Sequence, residues 1–177
     1  FTNLSAAAGA VGALFTTWVW YGKPDIVQTI NGALAVLVSI TAVAENMDQY
    51  GAFFEGLIGG VIVVFAIEFI EKKLKVDDAI GASSVHGVVG VWGTIVIGLW
   101  GIDAEGGIGL FNGGGTDQLI SQFIGALAYT FWAAALAFIF FSILKKSIGL
   151  RVTKEEEIEG LDIAEHGIRA YPGKRNR

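Results

Sequence analysis

Five long apolar runs constrain what this chain can fold into. A helix rises 1.5 Å per residue, so about 20 residues cross the roughly 30 Å hydrocarbon core of a bilayer. The runs predict membrane-spanning helices over residues 2–22, 26–45, 50–71, 79–101 and 118–146. Composition agrees, because only 16% of the residues are charged, whereas soluble domains carry about 25%. We therefore predict an all-α, polytopic membrane protein.

The glycine and cysteine contents indicate how the predicted helices pack and which covalent or metal sites the chain lacks. The chain has 25 glycines and 2 prolines, which is typical of membrane helices that approach each other closely through small residues. It has no cysteine, so neither disulfide bonds nor thiolate metal sites are predicted.

The basic residues predict an orientation. All 12 Lys and Arg lie at or beyond the ends of the first, third and fifth runs: Lys23, a group within 72–75, and eight residues from 145 to 177. Lys and Arg are retained on the cytoplasmic side, so residues 147–177 are predicted to form a cytoplasmic tail and the first residues to lie outside. This topology explains the basic clusters without a nucleic-acid partner.

One ionisable residue, His86, interrupts the fourth run. The predicted helix places it about 10 Å from the nearer helix end, where a charge costs several kcal/mol. Its helical face also carries small residues, among them Ala82 and Gly90, at spacings of three and four. One interpretation is a histidine hydrogen-bonded in a helix contact. The other is a proton-handling group in a conduction path.

Three segments carry a resemblance to a known family. The stretch "DDAIGASSVHGVVGVWGT" resembles the tenth-helix segment of the ammonium transporters, the Amt/Mep/Rh group. "YGKPDIVQTINGALAVLVSITA" resembles the start of the eighth helix in that group. "GLRVTKEEEIEGLDIAEHGIRAY" is similar to the cytoplasmic tail of bacterial and plant members, which favours the Amt branch over the Rh branch.

The resemblance implies an eleven-helix protomer that assembles as a homotrimer in the cell membrane, with one pore in each protomer. This chain matches helices seven to eleven, so an amino-terminal half of the same protein is expected as a partner. His86 would be the second of two pore histidines, and the first would belong to the fifth helix. The implied function is ammonium or ammonia transport, without enzymatic activity, cofactor or metal. Two alternatives stay open: an ammonium sensor of the same fold, or a non-conducting half-chain fragment.

Further candidate positions lie along the pore and at its two ends. Asn31, inside the second run, is expected to pack between helices or to line the pore with Ala82 and Gly90. Asp77 and Asp78 precede the fourth run, where carboxylates cap helices. On the opposite side, Glu45 and Asp48 stand where the family carries small, apolar or proline residues. They form either a solvated loop or a weak acidic rim that concentrates ammonium.

The tail contains a short charged helix over "KEEEIEGLD". Its apolar residues Ile158 and Leu161 need a surface to cover. In the family this tail couples the three pores and is met by a PII-type regulatory protein. The matching positions are Gly149, Leu161, Asp162, His166 and Gly167. The alternative is a solvated tail without a regulatory role.

Overall fold

The computed structural model describes residues 1–171 and is mainly helical, as predicted. Within these residues, four helices are long and apolar enough to cross a membrane. They contain α1 (Thr2–Tyr21), α3 (Gln49–Glu68), α4 (Gly90–Trp100) and α5 (Asp117–Ser147). Wider π-helical turns extend α3 over Phe69–Lys73 and precede α4 over Ser83–Val89. The helix α2 (Ile26–Ile40) is a shorter apolar helix of 15 residues.

The second and fourth spans differ from the predicted bounds. Beyond Ile40 the backbone tightens, because residues 41, 42 and 43 donate to carbonyls three residues earlier, so the apolar run continues as turns to Asn46. The fourth helix begins at Ser83 and not at residue 79, because residues 79 and 80 form a turn closed by the Gly81 N–H on the Asp78 carbonyl, at 2.7 Å. His86 therefore follows the helix start by three residues.

In the core, α1, α2 and α3 make close backbone contacts. A Cβ added at Gly60 would lie 2.9 Å from Gly9 Cα, and one added at Gly9 would lie 2.7 Å from the Gly32 carbonyl oxygen. A Cβ at Gly56 would lie 2.8 Å from Ser5 Cα. Contact at these distances is possible only without a side chain, which is how the glycines serve helix packing here.

Hydrogen bonds at one end of these helices bring the end of α1 and the end of α3 together with the start of α2. The Tyr21 hydroxyl donates to Glu68, and Gln28 Nε2 donates to the Tyr21 oxygen at 3.1 Å. The basic residues Lys23 and Lys72 follow these same helix ends. The two basic segments therefore lie at one end of the bundle.

At the opposite end, α2 is followed by the turns that hold Glu45 and Asp48, and α4 by a small hairpin. Asn46 joins these segments, since its carbonyl accepts from Ile102 N at 2.8 Å and its Nδ2 donates to the Ile102 carbonyl at 3.1 Å. Strand β1 (Ile102–Asp103) pairs antiparallel with β2 (Gly106–Gly107), followed by a 3-10 turn over Leu110–Asn112. The acidic connections thus share the end opposite to the lysines.

The helix α5 and the tail complete the chain. Most of the large apolar side chains of α5 are exposed, as expected of a helix that faces lipid or another helix. The tail forms α6 (Lys154–Glu159) and α7 (Leu161–Ala164), separated by Gly160 at a φ of 107°. The predicted charged helix is therefore two short helices. The last part of the predicted tail, residues 172–177, lies outside the described residues.

Candidate functional site

A cavity of about 420 Å³ lies between α2 and the segment that carries His86. We call it the His86 cavity. Its lining is apolar except for the side chains of Asn31, Thr41 and His86. The complete lining is Asn31, Leu34, Leu37, Val38, Thr41, Ile80, Ala82, Val85 and His86. An ionisable group thus lies in a cavity whose walls are otherwise suited to an uncharged molecule.

The π-helical segment Ser83–Val89 sets the direction of His86. Val85 and Val89 are buried in the core, whereas His86 is exposed on the surface of the chain where it lines the cavity. Single-turn π segments in helices occur often at functional sites. Periodicity does not predict one, so the segment was missed in the sequence.

Asn31 connects α2 to the start of this segment. It is buried, at 8% exposure, and its Nδ2 donates to the Ile80 carbonyl at 3.4 Å. The next residue, Gly81, has a φ of +74°, and a Cβ there would lie 2.9 Å from Asn31 Nδ2. Asn31 therefore both packs between elements and lines the His86 cavity.

Asp78 holds the first turn before His86. It is 5% exposed, and its carboxylate accepts from the Ser83 N–H at 2.8 Å, the Ser84 N–H at 3.1 Å and the Ser84 hydroxyl at 2.8 Å. Burial alone would raise the pKa of Asp78, but these hydrogen bonds outweigh it and lower the pKa below its usual value. Its neighbour Asp77 is exposed. Of the two aspartates, Asp78 has the capping geometry.

The small residues predicted to share a helical face with His86 have two different surroundings. Ala82 lies in the cavity lining with His86, whereas a Cβ at Gly90 would lie 3.7 Å from Val38 Cγ1. Further along, a Cβ at Gly93 would lie 2.5 Å from Ser39 Cα. Gly90 and Gly93 therefore face α2, and Gly90 is not part of the cavity lining.

Glu55 is a buried carboxyl group that the sequence did not single out. Its side chain is fully buried, and the hydroxyls of Ser5 and Ser39 donate to its two oxygens. The indole Nε1 of Trp92 donates to its backbone carbonyl at 3.2 Å. An acidic residue within an apolar run was the available signal, but its serine partners are distant in sequence.

A second, polar cavity of about 380 Å³ lies at the lysine end of the bundle. It is lined by Tyr21, Lys23, Pro24, Asp25, Gln28 and Glu68. Lys72 Nζ lies 2.6 Å from a Glu68 carboxylate oxygen, and the same carboxylate accepts from the Tyr21 hydroxyl. This cluster joins α1, α2 and the extension of α3 at one end of the bundle.

The predicted outer acids have different surroundings. Asp48 begins α3 as its N-cap, because its carboxylate accepts from the Gly51 N–H at 2.7 Å. Glu45 is exposed within the turns that follow α2. Both acids are exposed, so the capping role of Asp48 does not exclude a rim.

The predicted tail residues are partly brought together. Asp162 organises the last described turn, because its carboxylate accepts from the Ala170 N–H at 2.9 Å. Gly149 and Gly167 have φ angles of +83° and +65°, which favour glycine. His166 is exposed, and Leu161 is 42% exposed on the tail surface.

Comparison with known proteins identifies relatives over nearly the whole chain. A sequence model described as the Ammonium Transporter Family matches residues 1–171. The ammonium transporter Amt2 of Archaeoglobus fulgidus is 43% identical over 97% of this chain and 38% of its own length. An ammonium transporter of Bacillus subtilis is 36% identical over 96% of this chain and 43% of its own length.

Solved structures agree with the sequence relatives. A protein described as Sensor Amt Protein superimposes with a TM-score of 0.83 at 36% identity, covering 93% of this chain and 40% of that one. The N240A mutant of Candida albicans Mep2 gives a TM-score of 0.79 at 28% identity, with coverage of 93% and 38%. The chain thus spans about two fifths of the length of the relatives it matches.

Proposed function

Since the chain belongs to the ammonium transporter family, we propose that it forms part of a path by which ammonium or ammonia crosses a membrane. The family also makes it a multi-pass membrane protein and not an enzyme. The proposal depends on the position of His86. This residue lines a cavity whose walls are apolar except for His86, Asn31 and Thr41. In this proposal, His86 handles the proton.

The chemistry explains why a histidine suits such a cavity. Moving an ammonium ion into apolar surroundings costs far more than moving neutral ammonia. A neutral imidazole can accept a proton or a hydrogen bond through one nitrogen while the other nitrogen donates. Separating the proton from the amine therefore lowers the barrier, and a relay through His86 and a second histidine returns the proton on the far side.

Replacement of His86 tests this proposal. The full-length protein is reconstituted in liposomes, and ammonium-dependent current and uptake are measured for wild type, His86→Ala and His86→Asn. We expect both variants to lose the current, because neither an alanine nor an asparagine side chain can take up and release a proton near neutral pH. The asparagine variant is the matched control, because it keeps a hydrogen-bonding side chain. A normal current in either variant, with the protein assembled, would contradict the relay.

Ammonium sensing is a second candidate function. It is favoured by the likeness to the Sensor Amt Protein, at 36% identity over 93% of this chain. A sensor binds ammonium without sustained transport. Saturable ammonium binding to the full-length protein, in the absence of current or uptake in liposomes, would favour sensing over transport.

The proposal extends to assembly and orientation. We take α1 to α5 as helices seven to eleven of an eleven-helix protomer. An amino-terminal half completes this protomer, and three protomers assemble as a homotrimer. The clustering of Lys23 and Lys72 at one end of the bundle supports a cytoplasmic location for that end. Labelling of single cysteines introduced at Lys23 and Glu45, in sealed vesicles, would assign the two sides.

We also propose that the tail is regulatory. Ile158 and Leu161 are 77% and 42% exposed, so they offer apolar surface for a neighbouring protomer or a PII-type protein. Deleting residues 147–177 should leave the pore in place but change the coupling between protomers. Unchanged transport, trimer stability and PII binding after the deletion would favour a solvated tail.

A further inference from the structure

Glu55 is a fully buried acidic residue outside the lining of the His86 cavity. It lies near the start of α3, yet its contacts reach three other helices. Its carboxyl group accepts from Ser5 on α1 and from Ser39 on α2. Its backbone carbonyl accepts from Trp92 on α4, at 3.2 Å. Glu55 is therefore placed where all four helices meet.

The contact with Ser39 reaches the cavity wall. Ser39 is fully buried on the side of α2 that faces α3, whereas Val38 and Thr41, one before and two after it, line the cavity. The backbone of Ser39 also packs closely against α4, because a Cβ added at Gly93 would lie 2.5 Å from Ser39 Cα. Movement of Ser39 would therefore move both the wall and the helix that follows His86.

This part of α2 needs an external support. The α-helix ends at Ile40, and residues 41 to 43 form turns that donate to carbonyls only three residues earlier. Such turns are less well bonded than an α-helix. The Thr41 hydroxyl bonds back to the Val38 carbonyl at 2.6 Å, within α2, and so does not attach the wall to another helix. The side-chain bond from Ser39 to Glu55 does.

We propose that Glu55 is a positioning residue of the transport path, because its bond to Ser39 holds the end of α2 and thus the Val38 and Thr41 wall of the His86 cavity. This inference rests on the transport function proposed above. Glu55 is not among the residues that line the cavity, so in this proposal its carboxyl group neither binds the transported molecule nor exchanges a proton with it.

The two serines provide a matched pair for the test. Both are fully buried, and both donate to the same carboxyl group, but only Ser39 belongs to the cavity-lining helix. Ser5→Ala and Ser39→Ala should therefore lower the amount of folded protein by similar factors. Only Ser39→Ala should also lower the maximal transport rate per folded molecule, by about tenfold for the loss of one buried hydrogen bond.

Substitutions of Glu55 separate positioning from proton chemistry. In Glu55→Gln, the amide oxygen can accept from Ser5 and the amide nitrogen can donate to Ser39. The Ser39 hydroxyl already has a second acceptor, the Val36 carbonyl at 3.4 Å. We expect Glu55→Gln to keep the rate within about twofold, and Glu55→Leu to lower it about tenfold or more.

The experiment measures uptake by the full-length protein in liposomes, normalised to the folded protein recovered. Equal rates for Ser5→Ala and Ser39→Ala would overturn the proposal, as would a normal rate in Glu55→Leu. A loss in Glu55→Gln as large as that in Glu55→Leu would also overturn it, because the acid itself would then be required.

A second readout is independent of transport. These 177 residues contain no cysteine. Once any cysteine elsewhere in the full-length protein is replaced, Thr41→Cys places a single thiol in the wall of the His86 cavity. We expect Glu55→Leu to change its labelling rate by roughly threefold or more. If the wild type does not transport, the proposed function fails, and this labelling still decides the positioning role. An unchanged labelling rate would overturn that role.

Discussion

The cap that Asp78 makes before His86 gives the sharpest stability prediction. In Asp78→Asn, the side chain keeps one oxygen, which can accept from the Ser83 N–H as Oδ1 does now, at 2.8 Å. The amide nitrogen replaces Oδ2, which accepts from both the N–H and the hydroxyl of Ser84. The hydroxyl can rotate, but the N–H cannot. One buried donor therefore loses a charged acceptor.

The magnitude follows from that single lost bond. A hydrogen bond to a charged group contributes about 1.5–3 kcal/mol, so we expect Asp78→Asn to lower the free energy of unfolding by about 2 kcal/mol. For 177 residues alone this corresponds to a decrease in melting temperature of roughly 4–8 °C, and the decrease is smaller in the longer full-length protein, because the entropy of unfolding increases with chain length. The matched control is Asp77→Asn, because Asp77 is exposed. Its expected change is within about 0.5 kcal/mol.

Thermal unfolding of the full-length protein in detergent measures both variants, and its pH dependence supplies a second check. The pKa of Asp78 is lowered in the fold, so its stabilisation is present above the unfolded pKa of about 3.9 and is lost as pH falls through the lower folded value. The difference between wild type and Asp78→Asn should shrink below about pH 4. Equal melting temperatures for Asp77→Asn and Asp78→Asn would refute the reasoning.

Three further predictions concern packing, the cluster around Tyr21 and the tail. Gly60→Val should abolish close packing on the α1 backbone and reduce folded protein, whereas Gly125→Ala, where a Cβ meets nothing within 4 Å, should not; size-exclusion chromatography would show the difference. Tyr21→Phe removes the hydroxyl that donates to the α3 carboxylate and should destabilise by about 1 kcal/mol. Tyr129→Phe, at 78% exposure, should leave the melting temperature unchanged. Thr153→Ala removes the capping box of α6 and should destabilise α6 by about 1 kcal/mol, which amide hydrogen exchange of α6 in the full-length protein would detect; unchanged exchange would contradict the cap.

Local patterns in the amino-acid sequence were sufficient for the helices, the family and one cap. Apolar runs of about 20 residues predict membrane helices because a bilayer offers the backbone no other hydrogen-bond partners. The motif around His86 carried the family resemblance, which the match over residues 1–171 confirms. Asp77 and Asp78 were both expected to cap a helix that starts at residue 79; the helix starts at Ser83, and Asp78 is the one that accepts from its first N–H groups.

Regular periodicity failed where the helices are irregular. The predicted face joined His86 with Gly90, but Gly90 lies outside the cavity lining, and the segment that precedes it is π-helical, which a period of 3.6 residues does not anticipate. For the same reason, the end of α2 at Ile40 was missed, since its apolar run continues through tight turns. Hydrophobicity specifies which residues avoid water and leaves the number of residues per turn open.

Long-range partners were decided by the tertiary structure alone. Ser5 and Ser39 donate to Glu55 from positions 50 and 16 residues away, and no spacing in the sequence links them. The glycines of α1, α2 and α3 allow the backbones to meet, and that approach selects which side chains become neighbours. A polar group buried among apolar helices must find its hydrogen-bond partners on those helices. The tertiary structure therefore explains Glu55, which joins four helices through its hydrogen bonds.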